Sequence, residues 1–474
     1  MRIMRIYLSL IFILFLLAIP SKTLAIYDPL SVANNRFGIH ITQESDILDA
    51  VSLVNSTGGD WGYITLVIQK GERDFDRWQK IFDLLRRVHL IPLLRLATAH
   101  QNGGWEMPSH DEIDGWVNFL DSLNWPINNK YVIINNEPNH AKEWGGQISP
   151  ESYANYLKKF SQRAKVKSDD FFILPAAMDF SAQTDEESLD ARTYLERMLK
   201  TQPDIFDWVD GWNSHSYPNP NFTGSEKSTG KGTIASFSWE LSYLKSLGVS
   251  KKLPVFITET GWVHDIDSDN NFLYPEEIGP KFAWAFDNTW NNTDIVAVTP
   301  FILSYQDSPF DIFSWRKPDG SFYPFYDTVK SLEKTKGKPI QKTSGEILGA
   351  LVPIYVEAGE VFSGALFVKN TGQSIWNEEQ TISIKDVEGN IIISKIISFP
   401  IMEPFERRIV LFEANAPNYS EKQISYLGLF EEEKIISNVY PFKIRLYKFD
   451  SIFKVLYKAV NAVTSLLWKY KVEF

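Results

Sequence analysis

Tyr131-Val-Ile-Ile-Asn-Asn-Glu-Pro-Asn139 and Leu253-Pro-Val-Phe-Ile-Thr-Glu-Thr-Gly-Trp262 share one design, a short apolar run that stops at a glutamate. Runs this brief and β-branched, followed at once by polar residues with proline or glycine, read as buried parallel strands. Pro138 disfavours helical geometry at the residue before it, so Glu137 is expected to be extended, where its strand stops. Glu137 and Glu259 stand 122 positions apart. In an eightfold strand–helix barrel of roughly 300 residues, three repeats span about 114, so the two carboxylates fit the ends of strands four and seven.

The rest of the chain alternates to match. Strand-like runs cover Phe37 to His40, Trp61 to Ile68, Leu90 to Leu96, Tyr131 to Asn135, Phe171 to Ala176, Val209 to Ser214, Pro254 to Thr258 and Val296 to Leu303. Between them lie amphipathic stretches. Asp74 to Arg87 sets Phe75, Trp78, Ile81, Phe82 and Leu85 at helical spacing, and Glu151 to Lys167 is opened by Ser149 and Pro150. Strand and helix alternating eight times predict parallel strands, in a closed barrel or an open doubly wound sheet. A dinucleotide-binding doubly wound sheet carries a glycine-rich turn after its first strand, and Gly38-Ile-His-Ile-Thr-Gln43 has none. The glutamate spacing favours the barrel. The fold class is therefore α/β, a (β/α)8 TIM barrel over 26–338. Glu333 to Gly345 is rich in lysine, glycine and threonine and reads as a linker. Alternating runs follow at Leu348 to Val356, Val361 to Lys369, Gln380 to Lys385, Asn390 to Ser398, Arg407 to Glu413, Ile424 to Phe430 and Val439 to Leu446, predicting a small all-β sandwich over 346–447.

An Asn-Glu-Pro ending on a fourth strand and a Thr-Glu-x-Gly ending on a seventh resemble clan A of the glycoside hydrolases, the retaining glycosidases built on this barrel. The resemblance covers the barrel, about two thirds of the chain. It implies that Glu137 is the acid/base and Glu259 the nucleophile. It further implies that Tyr217, in His215-Ser-Tyr217 at the end of strand six, hydrogen-bonds the nucleophile, and that Asn136 contacts the sugar 2-hydroxyl. Strict strand alternation would turn Asn136 away from Glu137, so the strand is expected to twist or end there. Two features depart from the pattern. Many relatives carry their arginine on strand two, whereas here Arg95 ends strand three; relatives often place a tryptophan directly at the end of strand eight, whereas here Tyr305 stands there and Trp315 follows only after a loop. Farther on, Phe367-Val-Lys-Asn-Thr-Gly372 with Trp376 resembles immunoglobulin-like accessory modules in which a tryptophan plugs the core. Such a module binds polysaccharide, or serves as a spacer or lid.

Barrel chemistry sits at the carboxyl ends of the strands. His40 ends strand one, His100 and Trp105 lie just beyond Arg95, Asp179 follows strand five, and Asn213 to Tyr217 end strand six. Trp105, Trp144 and Trp262 each follow a strand end, and flat aromatic faces suit pyranose rings; packing of loops onto the barrel is the other reading of these three. The candidate substrate contacts are Asn136, His215, Tyr217, Arg95, His40, Trp105, Trp144, Trp262, Tyr305 and Trp315. With seven scattered histidines and no cysteine, neither a metal nor another cofactor is expected.

A net charge of −11 with no basic stripe in the first 440 residues argues against nucleic acid and leaves neutral oligo- or polysaccharides as partners. Arg2 and Arg5 precede the apolar run Ile6 to Ile19, and small residues lead to Ala25. This reads as an export signal over 1–25, placing the protein outside the cytoplasm. An uncleaved anchor is the alternative, from a run shorter than the about 20 residues that span a bilayer. Over 450–474, Ile452, Phe453, Leu456, Ala459, Val460, Val463, Leu467 and Trp468 fall at helical spacing among Lys454, Lys458, Lys469 and Lys471. The tail is an amphipathic basic helix that docks on the protein or makes peripheral contact with an anionic membrane.

Hydrolysing a glycosidic bond takes one protonated carboxyl and one ionised carboxylate flanking the sugar, which two glutamates supply. The expectation is an exported retaining glycosidase. A transglycosylase shares every one of these residues and differs only in its acceptor. The reading from another class is a non-catalytic glycan-binding or scaffold protein on the same barrel.

Overall fold

The computed structural model describes residues 26–448 apart from 102, 266–271, 378–381, 390, 399–400 and 420–421, together with 455 and 459. The signal expected over 1–25 and, but for 455 and 459, the basic helix expected over 450–474 lie outside the described residues. The chain divides into two compact units between Ile340 and Gln341, the second also taking in Pro126–Asn128.

The first unit repeats strand and helix: β1 (Gly38–His40), α1 (Ile47–Val54), β2 (Gly62–Gln69), α2 (Phe75–Arg87), β3 (Leu90–Ala97), α3 (Ile113–Ser122), β4 (Lys130–Ile134), α4 (Pro150–Lys167), β5 (Phe171–Pro175), α5 (Ala191–Thr201), β6 (Trp212–His215), α6 (Ser236–Ser246), β7 (Val255–Glu259), α7 (Pro275–Asp287), β8 (Ile295–Val298) and α8 (Pro324–Ser331). Local chemistry starts the helices where the pattern places them. Asp74 Oδ1 accepts from Arg77 N at 2.8 Å ahead of α2, and Pro150 occupies the first turn of α4. Trp78, Ile81, Phe82 and Leu85 then form the buried face of α2.

Every pairing among these strands is parallel. One sheet runs β1-β2-β3-β4-β5 and another β8-β7-β6. Backbone bonds continue past both sheets. Val298 N donates to Arg36 O at 2.9 Å beside a parallel bridge from Phe37 to Val298, and Asp210 N, just ahead of β6, donates to Ile173 O at 2.8 Å. β1 is held so closely that a Cβ on Gly38 would lie 2.5 Å from Thr299 Cγ2 and 2.8 Å from Tyr63 O. β4, β5 and β7 are buried along their whole length, the burial that unbroken apolar runs predict for parallel strands. The stretch read as a linker begins inside this unit: Lys334 Nζ donates to the carbonyls of Val329, Lys330 and Leu332, and Lys338 N to Ala33 O.

The second unit holds two sheets built from β9 (Gly345–Leu351), β10 (Tyr355–Glu357), β11 (Val361–Asn370), β12 (Ile382–Asp386), β13 (Ile392–Ser398), β14 (Arg407–Asn415), β15 (Lys422–Glu431), β16 (Lys434–Ile435) and β17 (Tyr440–Tyr447), with every pairing antiparallel except that of β10 with β17, which is parallel. One sheet has the order β9-β11-β14-β13, the other β10-β17-β15-β12 with β16 on β15. The single strand expected over Leu348 to Val356 is two strands in different sheets. Pro353 stands between them, and without an N–H it cannot continue a ladder. Trp376, Leu366, Val368, Val410, Phe412, Leu427 and Leu429 share one buried cluster.

Candidate active site

β4 ends at Ile134, and the chain leaves strand geometry at once: Asn135 has φ 67° and Glu137 φ 21°. The extended geometry expected of Glu137 ahead of Pro138 is therefore not adopted. The left-handed turns replace the alternation that would have sent Asn136 and Glu137 to opposite faces. Asn139 ties the turn down, donating to the Asp179 and Leu189 carbonyls at 3.0 and 3.1 Å. Glu259 is the last residue of β7 and pairs across the sheet with His215, the last residue of β6.

These strand ends converge. His215 Nδ1 is 2.7 Å from Glu137 Oε1 and 3.6 Å from Glu259 Oε2. That nitrogen and one oxygen of each carboxylate all lie within 4.8 Å of one another. Tyr217 donates its hydroxyl to Glu259 Oε2 at 3.1 Å, while Arg95 Nη1 is paired with Glu259 Oε1 and donates to Asn136 Oδ1 at 2.8 Å. Asn136 Nδ2 in turn donates to Glu143 Oε2 at 3.3 Å. The spacing of Glu137, His215 and Glu259 alone would admit a cation, but the Arg95 guanidinium already neutralises Glu259 and repels one.

The charges sort the carboxyls. Burial drives Glu259 up, and the positive charges of His215 and Arg95 outweigh it, holding the carboxyl down at about 2, so it is ionised. Burial opposes protonation of His215, yet Glu259 and Glu137 raise its proton affinity. His40 goes the other way: burial, with Arg95 nearby, takes it down to about 3, so it is neutral near pH 7 and adds no charge there to Glu259. Glu143 is pushed up to about 7 by burial and then by Glu137, against Arg95 and Asn136. Near neutrality the site thus holds an anchored carboxylate and, at Glu143, a carboxyl close to the middle of its titration.

Of the candidate contacts, Asn136, His215, Tyr217 and Arg95 meet at the two glutamates. His40 reaches 3.9 Å from Glu259 Oε1 but is 1% exposed, beneath the carboxylate and closed to a substrate. Trp144, Trp262 and Trp315 are corrections: all are buried in the core of the first unit, where they cannot offer a face to a sugar. Trp144 packs edge-on to Tyr153, Trp262 donates its indole N–H to Gly224 O at 2.8 Å, and Trp315 packs on Phe282 and Phe325. They fasten the loops that follow the strands. Tyr305 is half-buried against Phe310, beside the aromatic cluster that includes Tyr217 and Phe313. Trp105, by contrast, lines open space, a cleft of about 1070 Å³ bounded also by Gln101, Met107, His140, Lys142, Gln147 and Glu187. Glu143 is the site residue that sequence reasoning missed; it adjoins the candidate Trp144, and no local pattern marks it.

No protein-family model and no curated protein matches the chain. Solved structures give loose likenesses. A monomeric β-xylosidase from Caulobacter crescentus CB15 is 13% identical with a TM-score of 0.44, covering 81% of this chain and 98% of that one. An endo-β-1,3-glucanase from Pseudomonas viridiflava is 14% identical with a TM-score of 0.40, covering 63% of this chain and 97% of that one. A mutated endo-β-1,4-glucanase from Xanthomonas axonopodis pv. citri is 14% identical with a TM-score of 0.42, covering 62% and 98%. At such scores the functional reading rests on the side chains of this chain.

Proposed function

We propose that the protein is an exported retaining glycoside hydrolase acting on an oligo- or polysaccharide, with Glu259 as nucleophile and Glu137 as acid/base. In this reading the eight parallel strands close into a (β/α)8 barrel and the second unit is a β-sandwich appended to it. One observation carries the proposal: carboxylate oxygens of Glu137, in the turn just past β4, and Glu259, at the end of β7, lie within 4.8 Å of each other. Retention calls for carboxyl groups about 5–5.5 Å apart, and inversion for about 6.5–9.5 Å. The surroundings supply the asymmetry that the chemistry needs, because the charges of His215 and Arg95 keep Glu259 ionised, with Tyr217 donating to its second oxygen.

The steps follow. Glu259 attacks the anomeric carbon as its bond to the leaving oxygen breaks, and Glu137 gives that oxygen its proton. Water then attacks the glycosyl ester, Glu137 takes the water's proton, and the carbon–Glu259 bond breaks, restoring both groups. His215 Nδ1, 2.7 Å from Glu137, holds the acid/base in place between turnovers. Neither glutamate lines the cleft beside Trp105, but Trp105 also borders the small space at Arg95 and Asn136, so in this reading the cleft holds sugar rings that extend away from the reacting bond.

A panel of 2-deoxy-2-fluoro glycosyl fluorides tests the reading, with peptide mass locating the trapped sugar. A single adduct on the peptide containing Glu259 is expected, and the sugar that traps identifies the substrate class. A label elsewhere, or an inverted first product from natural substrate, would defeat it.

A further inference from the structure

The two-carboxyl reading leaves Glu143 with nothing to do, yet Glu143 is wired to the nucleophile. From Asn136 Nδ2 to Glu143 Oε2 is 3.3 Å, from Arg95 Nη1 to Asn136 Oδ1 is 2.8 Å, and the same Nη1 is paired with Glu259 Oε1. A primary amide has a donor end and an acceptor end. With its donor end on Glu143, Asn136 must present oxygen to the guanidinium; flipped, it would set NH2 against a cation. Arg95, Asn135, Asn136, Thr98, Trp105 and Glu143 also line a space of about 20 Å³, and Asn135 Oδ1 is buried with no protein partner among the described residues. One water fits such a volume and finds polar partners in it.

The charged groups facing Glu143 are Glu137, Arg95 and Lys142. Were Glu143 ionised, it would put a second carboxylate within reach of the one guanidinium that Glu259 depends on, and the grip on Glu259 would loosen. Neutral, it still accepts from Asn136 and makes no such claim.

We propose that Glu143 is a positioning residue: accepting from Asn136 Nδ2, it fixes the amide whose Oδ1 orients the Arg95 guanidinium on Glu259. The functional part of this inference rests on Glu259 being the nucleophile; the link from Glu143 to Glu259 does not.

The test uses the full chain carrying glutamate labelled with carbon-13 at the side-chain carboxyl, with resonances assigned from Glu143→Gln and Glu259→Gln. The wild type should show a carboxyl titrating near pH 7, absent in Glu143→Gln, and the ionised Glu259 resonance should move with it. In Glu143→Gln, which keeps the accepting oxygen and removes the charge, Glu259 should stay flat. On a short glycoside, kcat/KM of Glu143→Gln should hold to higher pH than wild type. Glu143→Ala, with Asn136 unanchored, should lose roughly tenfold in kcat at every pH. A Glu259 resonance indifferent to Glu143, or alkaline limbs that coincide in wild type and Glu143→Gln, overturns the proposal. No turnover on any glycoside with the coupling between resonances intact removes the glycosidase reading and upholds the link from Glu143 to Glu259.

Discussion

Tyr217 donates a hydrogen bond from its hydroxyl to Glu259 Oε2 at 3.1 Å, while Arg95 holds Oε1, so each oxygen of the carboxylate has its own donor. A hydrogen bond to a charged group is worth about 1.5–3 kcal/mol, so Tyr217→Phe should lower kcat/KM by roughly 10- to 100-fold. The sign of the pH effect is fixed too. Glu259 is held down at about 2, and losing a donor to its ionised form raises it, which moves the acid limb of kcat/KM to higher pH. An acid limb left in place would mean that Tyr217 does not act on Glu259.

The two glutamates should fail differently. Glu259→Ala should abolish turnover whatever the leaving group, because no other group can form the ester. Glu137→Ala should be crippled on natural glycosides but form the intermediate from a substrate whose leaving group needs no proton, and then stall for want of a base. Azide, which needs no base, should release a glycosyl azide of retained configuration. Full activity in either variant, or an inverted azide, would sink the assignment.

Glu143 sets a slope in stability against pH. Its proton affinity rises from an ordinary 4.5 to about 7 in the folded chain. Above 4.5 the unfolded chain releases this proton and the folded chain keeps it, so the group's contribution to stability falls as pH climbs to about 7 and then levels. Glu143→Gln lacks the slope and should exceed wild type by on the order of 3 kcal/mol at about pH 8, with no such gain at about pH 4. Urea titrations at the two pH values measure this, and a constant difference would contradict it.

Trp144 and Trp105 should part company. Trp144→Ala opens a hole in a packed core and should cost about 3–5 kcal/mol. Trp105→Ala, at the half-buried wall of the cleft, should leave the unfolding midpoint nearly in place and raise KM for longer oligosaccharides. Calorimetry with oligosaccharide kinetics separates the two, and a KM effect confined to Trp144→Ala would reverse the roles.

What could be read from the chain beforehand follows the range of the forces involved. A strand buried on both faces announces itself in its own residues: the run read over Tyr131 to Asn135 lies at Lys130–Ile134, and that over Pro254 to Thr258 at Val255–Glu259. Val296 to Leu303 overruns, because β8 stops at Val298 and the remaining apolar residues continue as a buried loop toward Leu303. The tryptophans mislead for a related reason. Position after a strand end tells where in the chain a ring stands but not whether its loop folds it inward, as happens to Trp144, Trp262 and Trp315. Arg95 was visible as a charge at a strand end, yet its partner lies 164 positions away. Glu143 is invisible in the sequence, since what distinguishes it is a half-buried place beside Glu137, which exists only once the loop has closed.

The backbone at Asn135, with φ 67°, has a consequence for sequence space. Asn, Asp and Gly enter that region readily, whereas β-branched and bulky residues are outliers there. Randomising position 135 and selecting for turnover should therefore return a vocabulary of about three residues, chosen by a torsion angle and not by contact with any sugar. Glu137, at φ 21°, would have no such freedom as the proposed acid/base: its carboxyl could not be exchanged for a more compliant residue, so every descendant that kept the reaction would inherit the strain with it.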